Sequence, residues 1–86
     1  MQQFIFVIKD RDGVHARPAG AIIKEAGRYK SEIKLTAKGK QINLKGGIFA
    51  LLGLGIRCGD EIAVTCSGPD EAEAAAGLKQ SFEDNL

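Results

Sequence analysis

The chain has 86 residues, 44% hydrophobic and 27% charged, a composition typical of a folded domain and not of a disordered segment. Its 12 Lys and Arg against 11 Asp and Glu leave a net charge of +1, so we expect neither nucleic acid nor an acidic membrane as a partner. The opening MQQFIFVIKD lacks the basic region of a signal peptide, and no apolar run approaches the roughly 20 residues of a membrane span. We therefore expect one cytoplasmic domain over residues 1–86, with no direct membrane insertion.

The first half of the chain predicts a strand, a helix and a hairpin. QQFIFVI predicts a mostly buried strand, because apolar, β-branched and aromatic residues dominate it. After a polar turn, apolar residues at helical spacing from Ala19 to Ala26 predict a helix that stops at Gly27. SEIKLTA and KQINLK then alternate polar and apolar residues on either side of AKGK, which indicates a hairpin that turns at Gly39.

The next two elements are a short helix and a strand. GGIFALLGLG is rich in glycine and has one β-branched residue, so it favours a helix of about two turns bounded by Gly46–Gly47 and Gly53. DEIAVTC alternates Ile62, Val64 and Cys66 with more polar residues and predicts a fourth strand.

The last segment, SGPDEAEAAAGLKQSFEDNL, predicts a helix. Asp70 and Glu73 have the spacing of a capping box, and we expect Ala75, Leu78 and Phe82 to form the buried stripe. The resulting order, β-α-β-β-α-β-α, predicts an α/β (α+β) open-faced sandwich. In this fold, four antiparallel strands form one sheet and three helices cover one of its faces.

The two cysteines are not expected to form a disulfide bond. If the chain between Cys58 and Cys66 is extended, their Cα atoms lie roughly 25 Å apart, whereas a disulfide needs about 4.4–6.8 Å. Two cysteines and one histidine without paired spacing are also a poor set of metal ligands, so we expect no metal and no cofactor. Cys66 is predicted to be a small core residue.

The only histidine, His15, stands where the first helix begins. Pro18 fits the first helical turn, which places the helix start near Ala16 and His15 at the N-cap, a position that histidine does not favour. A local rule broken at one position often marks function. A helix N-terminus binds phosphate, Arg17 adds a permanent positive charge, and a neutral imidazole nitrogen is a nucleophile. These features predict a phosphoryl-acceptor site, although a lone histidine near a surface turn usually has no special role.

Other chemistries lack the residues they need. The serines have no nucleophile-elbow motif for a catalytic triad, and KGGIFALLGLGIRCG lacks the G-K-[S/T] ending of a phosphate-binding loop. An isolated phosphoryl acceptor without a metal, a base or a substrate pocket favours a carrier, whose partners perform the rest of the chemistry.

Three segments together resemble the HPr family, the histidine-containing phosphocarriers of the bacterial phosphoenolpyruvate-dependent sugar phosphotransferase system. They are GVHARPA (13–19), NLKGGIFALLGLGI (43–56) and GDEIAVTCSGPDEAEAA (59–75), and the resemblance covers the whole chain. It implies a monomeric carrier that accepts a phosphoryl group from enzyme I on Nδ1 of His15 and donates it to enzyme IIA domains of sugar transporters. Arg17 is then expected to help hold and release the group, and the helix N-terminus at Ala16, Arg17 and Pro18 to bind it.

The resemblance also gives the short middle helix a role. Ile48, Phe49 and Leu52 are expected to form the apolar docking surface for enzyme I and enzyme IIA, whereas Leu51 and Leu54 are expected in the core.

One departure from the family pattern concerns regulation. Many family members carry a regulatory serine directly after the NLK motif, but here Lys45 is followed by two glycines, and no Ser, Thr or Tyr occurs from Ala37 to Val64. We therefore expect the serine switch to be missing. Two alternatives remain open: a regulatory relay module of the same fold, as in a nitrogen-related branch of the system, and a non-catalytic interaction domain.

Overall fold

Four strands and three helices follow one another in the order expected from the sequence. The computed structural model describes residues 1–86. The strands are β1 (Gln2–Val7), β2 (Glu32–Ala37), β3 (Lys40–Asn43) and β4 (Glu61–Ser67), and the helices are α1 (Ala16–Ala26), α2 (Ile48–Leu52) and α3 (Glu71–Asn85). A 3-10 turn at Leu44–Gly46 leads into α2. None of the helices combines the length and the apolar character that crossing a membrane requires.

The strands form one antiparallel sheet in the order β1-β4-β2-β3, with β4 and β2 in the centre. In the register, Val64 of β4 lies opposite both Phe4 of β1 and Leu35 of β2, and Leu35 lies opposite Ile42 of β3. Residues that lie opposite one another on neighbouring strands point to the same face of the sheet, so Phe4, Val64, Leu35 and Ile42 share one face. The three helices cover that face, so the predicted open-faced sandwich is confirmed.

The core lies between the sheet and the helices. Its completely buried side chains include Leu35 and Val64 from the sheet, Ile22 from α1, Leu51 from α2 and Phe82 from α3. The Phe82 ring meets two aromatic rings of β1, with centroids 6.1 Å from Phe4 and 5.6 Å from Phe6. Aromatic pairs at these separations add to the free energy gained from burial, so they stabilise the packing of α3 against β1 at the edge of the sheet.

The prediction of a mostly buried first strand is wrong. β1 is an edge strand with one face in solvent, where Ile5 remains 57% exposed and Val7 45% exposed. Within the strand only Phe6 is buried, while Phe4 is half-buried. An apolar run does not reveal whether both faces of a strand are covered, because coverage depends on where the helices pack.

The predicted hairpin between β2 and β3 is confirmed, with a tight two-residue turn. Lys38 and Gly39 both have positive φ angles, 53° and 76°, which is the pattern of a type I′ turn. β3 is shorter than the predicted segment KQINLK, because the Asn43 side chain accepts a hydrogen bond from the Lys45 N–H at 2.9 Å. That bond starts the 3-10 turn, in which Leu44 stays buried.

The capping box predicted for α3 is wrong, although Asp70 does occupy the N-cap. Its carboxylate accepts hydrogen bonds from the Lys30 N–H (2.9 Å), the Ser31 N–H (2.9 Å) and the Ser31 hydroxyl (2.5 Å). Asp70 therefore ties the start of α3 to the chain that follows α1. The buried stripe of α3 contains Ala74 rather than Ala75, which is half-buried.

The two cysteines are both free, as expected. Cys66 is fully buried on the inner face of β4, and burial raises the pKa of its thiol. Cys58 is exposed in the loop before β4.

Candidate functional site

His15 occupies the N-cap of α1, as the position of Pro18 predicted. Its backbone is extended (φ −125°, ψ 180°), its carbonyl accepts the first helical hydrogen bond from Ala19 at 2.9 Å, and its side chain caps nothing. Pro18 is buried in the first turn, whereas Ala16 and Arg17 are exposed. Because the first N–H groups of a helix have no partner within the helix, those of Ala16 and Arg17 can bind an anion beside the imidazole.

The loop that leads into His15 is held by the loop before β4. The Gly13 N–H bonds to the Asp10 carbonyl at 2.9 Å, and the Val14 N–H bonds to the Ile56 carbonyl at 3.0 Å. Gly13 has a φ of +68°, and a Cβ atom there would lie 2.5 Å from the Ile56 carbonyl oxygen. Only glycine fits this approach of two backbones, so the loop sets the position of His15 tightly.

Arg17 has neither a hydrogen bond nor an ion pair with any other side chain. It lies in the first turn, two residues after His15, and is exposed. A guanidinium presents a fixed fork of donors that matches phosphate oxygens, and here those donors are unoccupied.

Two acidic neighbours of His15 were not predicted from the sequence. The carboxylate oxygens of Asp10 and Asp12 and a ring nitrogen of His15 all lie within 4.8 Å of one another. The signal was visible as two aspartates five and three residues before the histidine in a polar turn. One nitrogen and two oxygen donors at this spacing could hold a divalent cation, so the expectation of no metal stays a prediction.

The predicted docking residues lie on α2, which packs against α1. Phe49 is 85% exposed, while Ile48 and Leu52 are half-buried, and Leu51 and Leu54 are in the core as expected.

The contact between α2 and α1 is made near the histidine end of α1. A Cβ atom at Gly20 would lie 3.9 Å from Cδ1 of Ile48. Since a helix rises 1.5 Å per residue, this contact lies about 7.5 Å along α1 from His15. The exposed Phe49 therefore lies on the helix that flanks the histidine end of α1.

A polar groove lies near the other end of α1, against α3. Among its lining residues are Glu25, Tyr29 and Ser81. The Tyr29 hydroxyl donates to Glu25 at 2.6 Å, and this hydrogen bond is the main cause that raises the pKa of Tyr29. His15 and Arg17 are not part of this groove.

An unengaged histidine at a helix N-cap, beside free N–H groups and an unpaired arginine on an open-faced α/β sandwich, is the arrangement expected of a small histidine phosphocarrier. The family model described as "PTS HPr component phosphorylation site" matches residues 2–84. The chain therefore belongs to the HPr family of the phosphotransferase system.

Curated and solved relatives agree with this assignment. The phosphocarrier protein HPr of Mycoplasma genitalium is 46% identical over 86 residues, covering 99% of this chain and 97% of the relative. That of Mycoplasma pneumoniae is 42% identical over 84 residues, with 96% and 94% covered. The solved HPr from Bacillus anthracis has a TM-score of 0.85 at 31% identity, with 93% of this chain and 94% of that one covered. HPr-C-His from Thermoanaerobacter tengcongensis has a TM-score of 0.91 at 30% identity, with 99% and 94% covered.

Proposed function

We propose that this chain, as a monomeric single domain over residues 1–86 in the cytoplasm, carries phosphoryl groups from enzyme I to enzyme IIA domains of sugar transporters. The group comes ultimately from phosphoenolpyruvate and rests on Nδ1 of His15. The observation that carries the proposal is His15 at the N-cap with no capping bond, next to free helix N–H groups. Membership of the HPr family supports it.

The transfer needs only groups that the site supplies. The lone pair of Nδ1 attacks phosphorus, the bond from phosphorus to the donor atom breaks, and its electron pair stays with the donor. The other ring nitrogen keeps its proton throughout, and donation to the acceptor repeats the step in the opposite direction. The N–H groups of Ala16 and Arg17 and the Arg17 guanidinium stabilise the charge on the moving oxygens. Pro18, which has no N–H, fixes the start of the helix.

Ile48, Phe49 and Leu52 are proposed to dock both partners. A large aromatic side chain that is 85% exposed on a short helix beside the site suits a transient apolar contact. Phe49→Ala should raise the KM of enzyme I for this chain several-fold and leave stability almost unchanged, because the ring is barely buried. Leu51→Ala is the contrasting variant, since Leu51 is buried and its loss should lower stability instead.

We further propose that the carrier has no serine switch. Gly46 and Gly47 fill the segment between Lys45 and α2, so no hydroxyl stands in the element where the family pattern places one. An HPr kinase supplied with ATP should therefore transfer no phosphate to this region. Phosphoserine or phosphothreonine found between β3 and β4 would contradict the proposal.

The central test is labelling from phosphoenolpyruvate by enzyme I, comparing the wild type with His15→Ala. The wild type should take up an acid-labile, base-stable label, as expected for a phosphoramidate, and His15→Ala should take up none. Circular dichroism should show the variant folded, because the side chain makes no capping bond. An unlabelled wild type beside a labelled reference HPr would overturn the proposal. Onward transfer to a sugar-transporter enzyme IIA separates sugar uptake from a purely regulatory relay.

A further inference from the structure

Two carboxylates lie close to the imidazole of His15. The side-chain oxygens of Asp10 and Asp12 and a ring nitrogen of His15 are within 4.8 Å of one another. Both aspartates belong to the turn that Gly13 and its backbone contacts hold in place. Their proximity to the ring is therefore a property of the folded loop.

Neither carboxylate is neutralised by a cation of the chain. Asp10 accepts a hydrogen bond from the Asp12 N–H at 2.8 Å, and the Asp12 carboxylate accepts none. No Lys or Arg forms an ion pair with either residue. Arg17, the nearest arginine after the histidine in sequence, makes no ion pair at all. Two negative charges thus remain beside the ring.

A phosphoryl group on His15 is indicated by an observation that does not depend on Asp10 and Asp12. The family model that covers residues 2–84 is described as a phosphorylation site, and His15 is the only histidine in the chain. A phosphoryl group at neutral pH carries about two negative charges. A phosphoryl group on either ring nitrogen of His15 adds negative charge to the side chain that both carboxylates approach, and like charges repel.

We infer that Asp10 and Asp12 are electrostatic positioning residues that destabilise the phosphorylated form of His15 and so make this chain a stronger phosphoryl donor. The inference rests on the proposed function. The Ala16 and Arg17 N–H groups and the Arg17 guanidinium hold the phosphoryl oxygens, while the aspartates oppose them. The balance decides how readily the phosphorus–nitrogen bond is given up to the next nucleophile, with its electron pair returning to the ring nitrogen.

The size of the effect follows from Coulomb's law. Two unit charges 4 Å apart in water interact by an energy equivalent to roughly a fivefold change in an equilibrium constant. Each aspartate should therefore shift the phosphorylation equilibrium roughly three- to tenfold. The shift should shrink as salt is added, because exposed charges are screened.

The test measures the equilibrium of phosphoryl transfer between enzyme I and four chains: wild type, Asp10→Asn, Asp12→Asn and Glu73→Gln. Asparagine keeps an oxygen that can accept the Asp12 N–H, so the turn is preserved. Glu73 is the matched control, because it is also an exposed carboxylate but lies near the N-terminus of α3. The N-cap residue of α3, Asp70, accepts a hydrogen bond from Lys30, which follows the end of α1 opposite to His15.

Both Asp→Asn variants should hold three- to tenfold more phosphohistidine at equilibrium, and should lose the group to water and to acceptor more slowly. Glu73→Gln should match the wild type. If the aspartate variants match Glu73→Gln, or hold less phosphohistidine than the wild type, the inference is overturned while the carrier function stands. If the wild type takes no label, the proposed function falls and this inference falls with it.

Discussion

The polar groups at the two ends of α1 differ in whether they are hydrogen-bonded within the protein. At the C-terminal end, Tyr29 donates to Glu25, the Lys45 ammonium reaches the Tyr29 carbonyl, and Asp70 takes three hydrogen bonds from Lys30 and Ser31. At the N-terminal end, the His15 side chain caps nothing, and Arg17 and the Asp12 carboxylate have no partner.

The difference separates stability from function within one helix. A polar group that is already bonded inside the protein contributes to folding and is not available to a ligand. A group left unbonded contributes little to folding and can bind, react or repel. Substitutions at the C-terminal end should therefore change stability, and those at the N-terminal end should change phosphoryl transfer.

The largest expected effect breaks this rule, because Gly13 serves both purposes. Gly13→Ala should lower the free energy of unfolding by about 3 kcal/mol and abolish most transfer, since its Cβ would meet the Ile56 carbonyl and Arg57 Cα at 2.5 and 2.8 Å. Gly39→Ala is the control, with a similar φ of +76° and nothing within 4 Å, and should cost about 1 kcal/mol. Urea denaturation measures both. Equal losses would mean that φ, not the backbone contact, is decisive.

The next effect compares one residue type at the two ends of α1. Arg17→Ala should slow transfer from enzyme I roughly tenfold to hundredfold, because an anion-binding group is lost, and should change stability by less than about 0.5 kcal/mol. Arg28→Ala removes an arginine paired with Glu25 at 3.2 Å, mostly in solvent, and should leave the transfer rate unchanged. Single-turnover labelling measures the rates. Slow phosphoryl transfer to Arg28→Ala would mean that the overall charge of the chain, rather than the position of the arginine, controls the transfer rate.

A smaller effect appears in the acid stability of the C-terminal end. The Ser31 hydroxyl, with the backbone N–H groups beside it, holds the pKa of Asp70 below its ordinary value of 3.8. A lowered pKa in the folded state means that the carboxylate contributes stability above pH 3.8, and that this contribution is lost as the pH falls through the lowered value. Asp70→Asn should therefore be less stable than the wild type at pH 7, and the difference should shrink below about pH 4. Denaturant midpoints measured from pH 7 to pH 2 test this, and a constant difference would contradict it.

The smallest effect is expected at Gly20, and Gly77, which is also inside a helix, provides the contrast. Gly20→Ala should raise the free energy of unfolding by about 0.5–1 kcal/mol, because the new methyl group meets only Ile48 at an ordinary 3.9 Å. Gly77→Ala should instead destabilise, since its Cβ would collide with the Tyr29 hydroxyl. Adding Tyr29→Phe should recover part of that loss. Thermal unfolding checks the three variants, and a destabilised Gly20→Ala would show that α2 needs closer contact with α1.

Local chemistry made the N-terminal end of α1 predictable from the sequence. Pro18 can stand only in the first turn of a helix, so it placed the N-cap at His15, and the structure agrees. The hairpin at Gly39 and the buried Cys66 were equally local, since each depends on a turn type or on strand alternation.

The predictions that failed for α3 and β1 depend on segments that are distant in sequence. Asp70 had the spacing of a capping box, but Ser31, 39 residues away, offers it a hydroxyl and an N–H, and the carboxylate takes those instead. β1 looked buried because its residues are apolar, but its place at the edge of the sheet leaves Ile5 exposed.

By itself the sequence determined which elements form and where the histidine stands, because turns, helix starts and strand alternation depend on neighbouring residues. Only the tertiary structure decided which polar groups remain free, because that depends on which partners the packing brings within hydrogen-bond distance. It left Arg17 and Asp12 free beside His15, and it engaged Asp70 at the other end of the same helix.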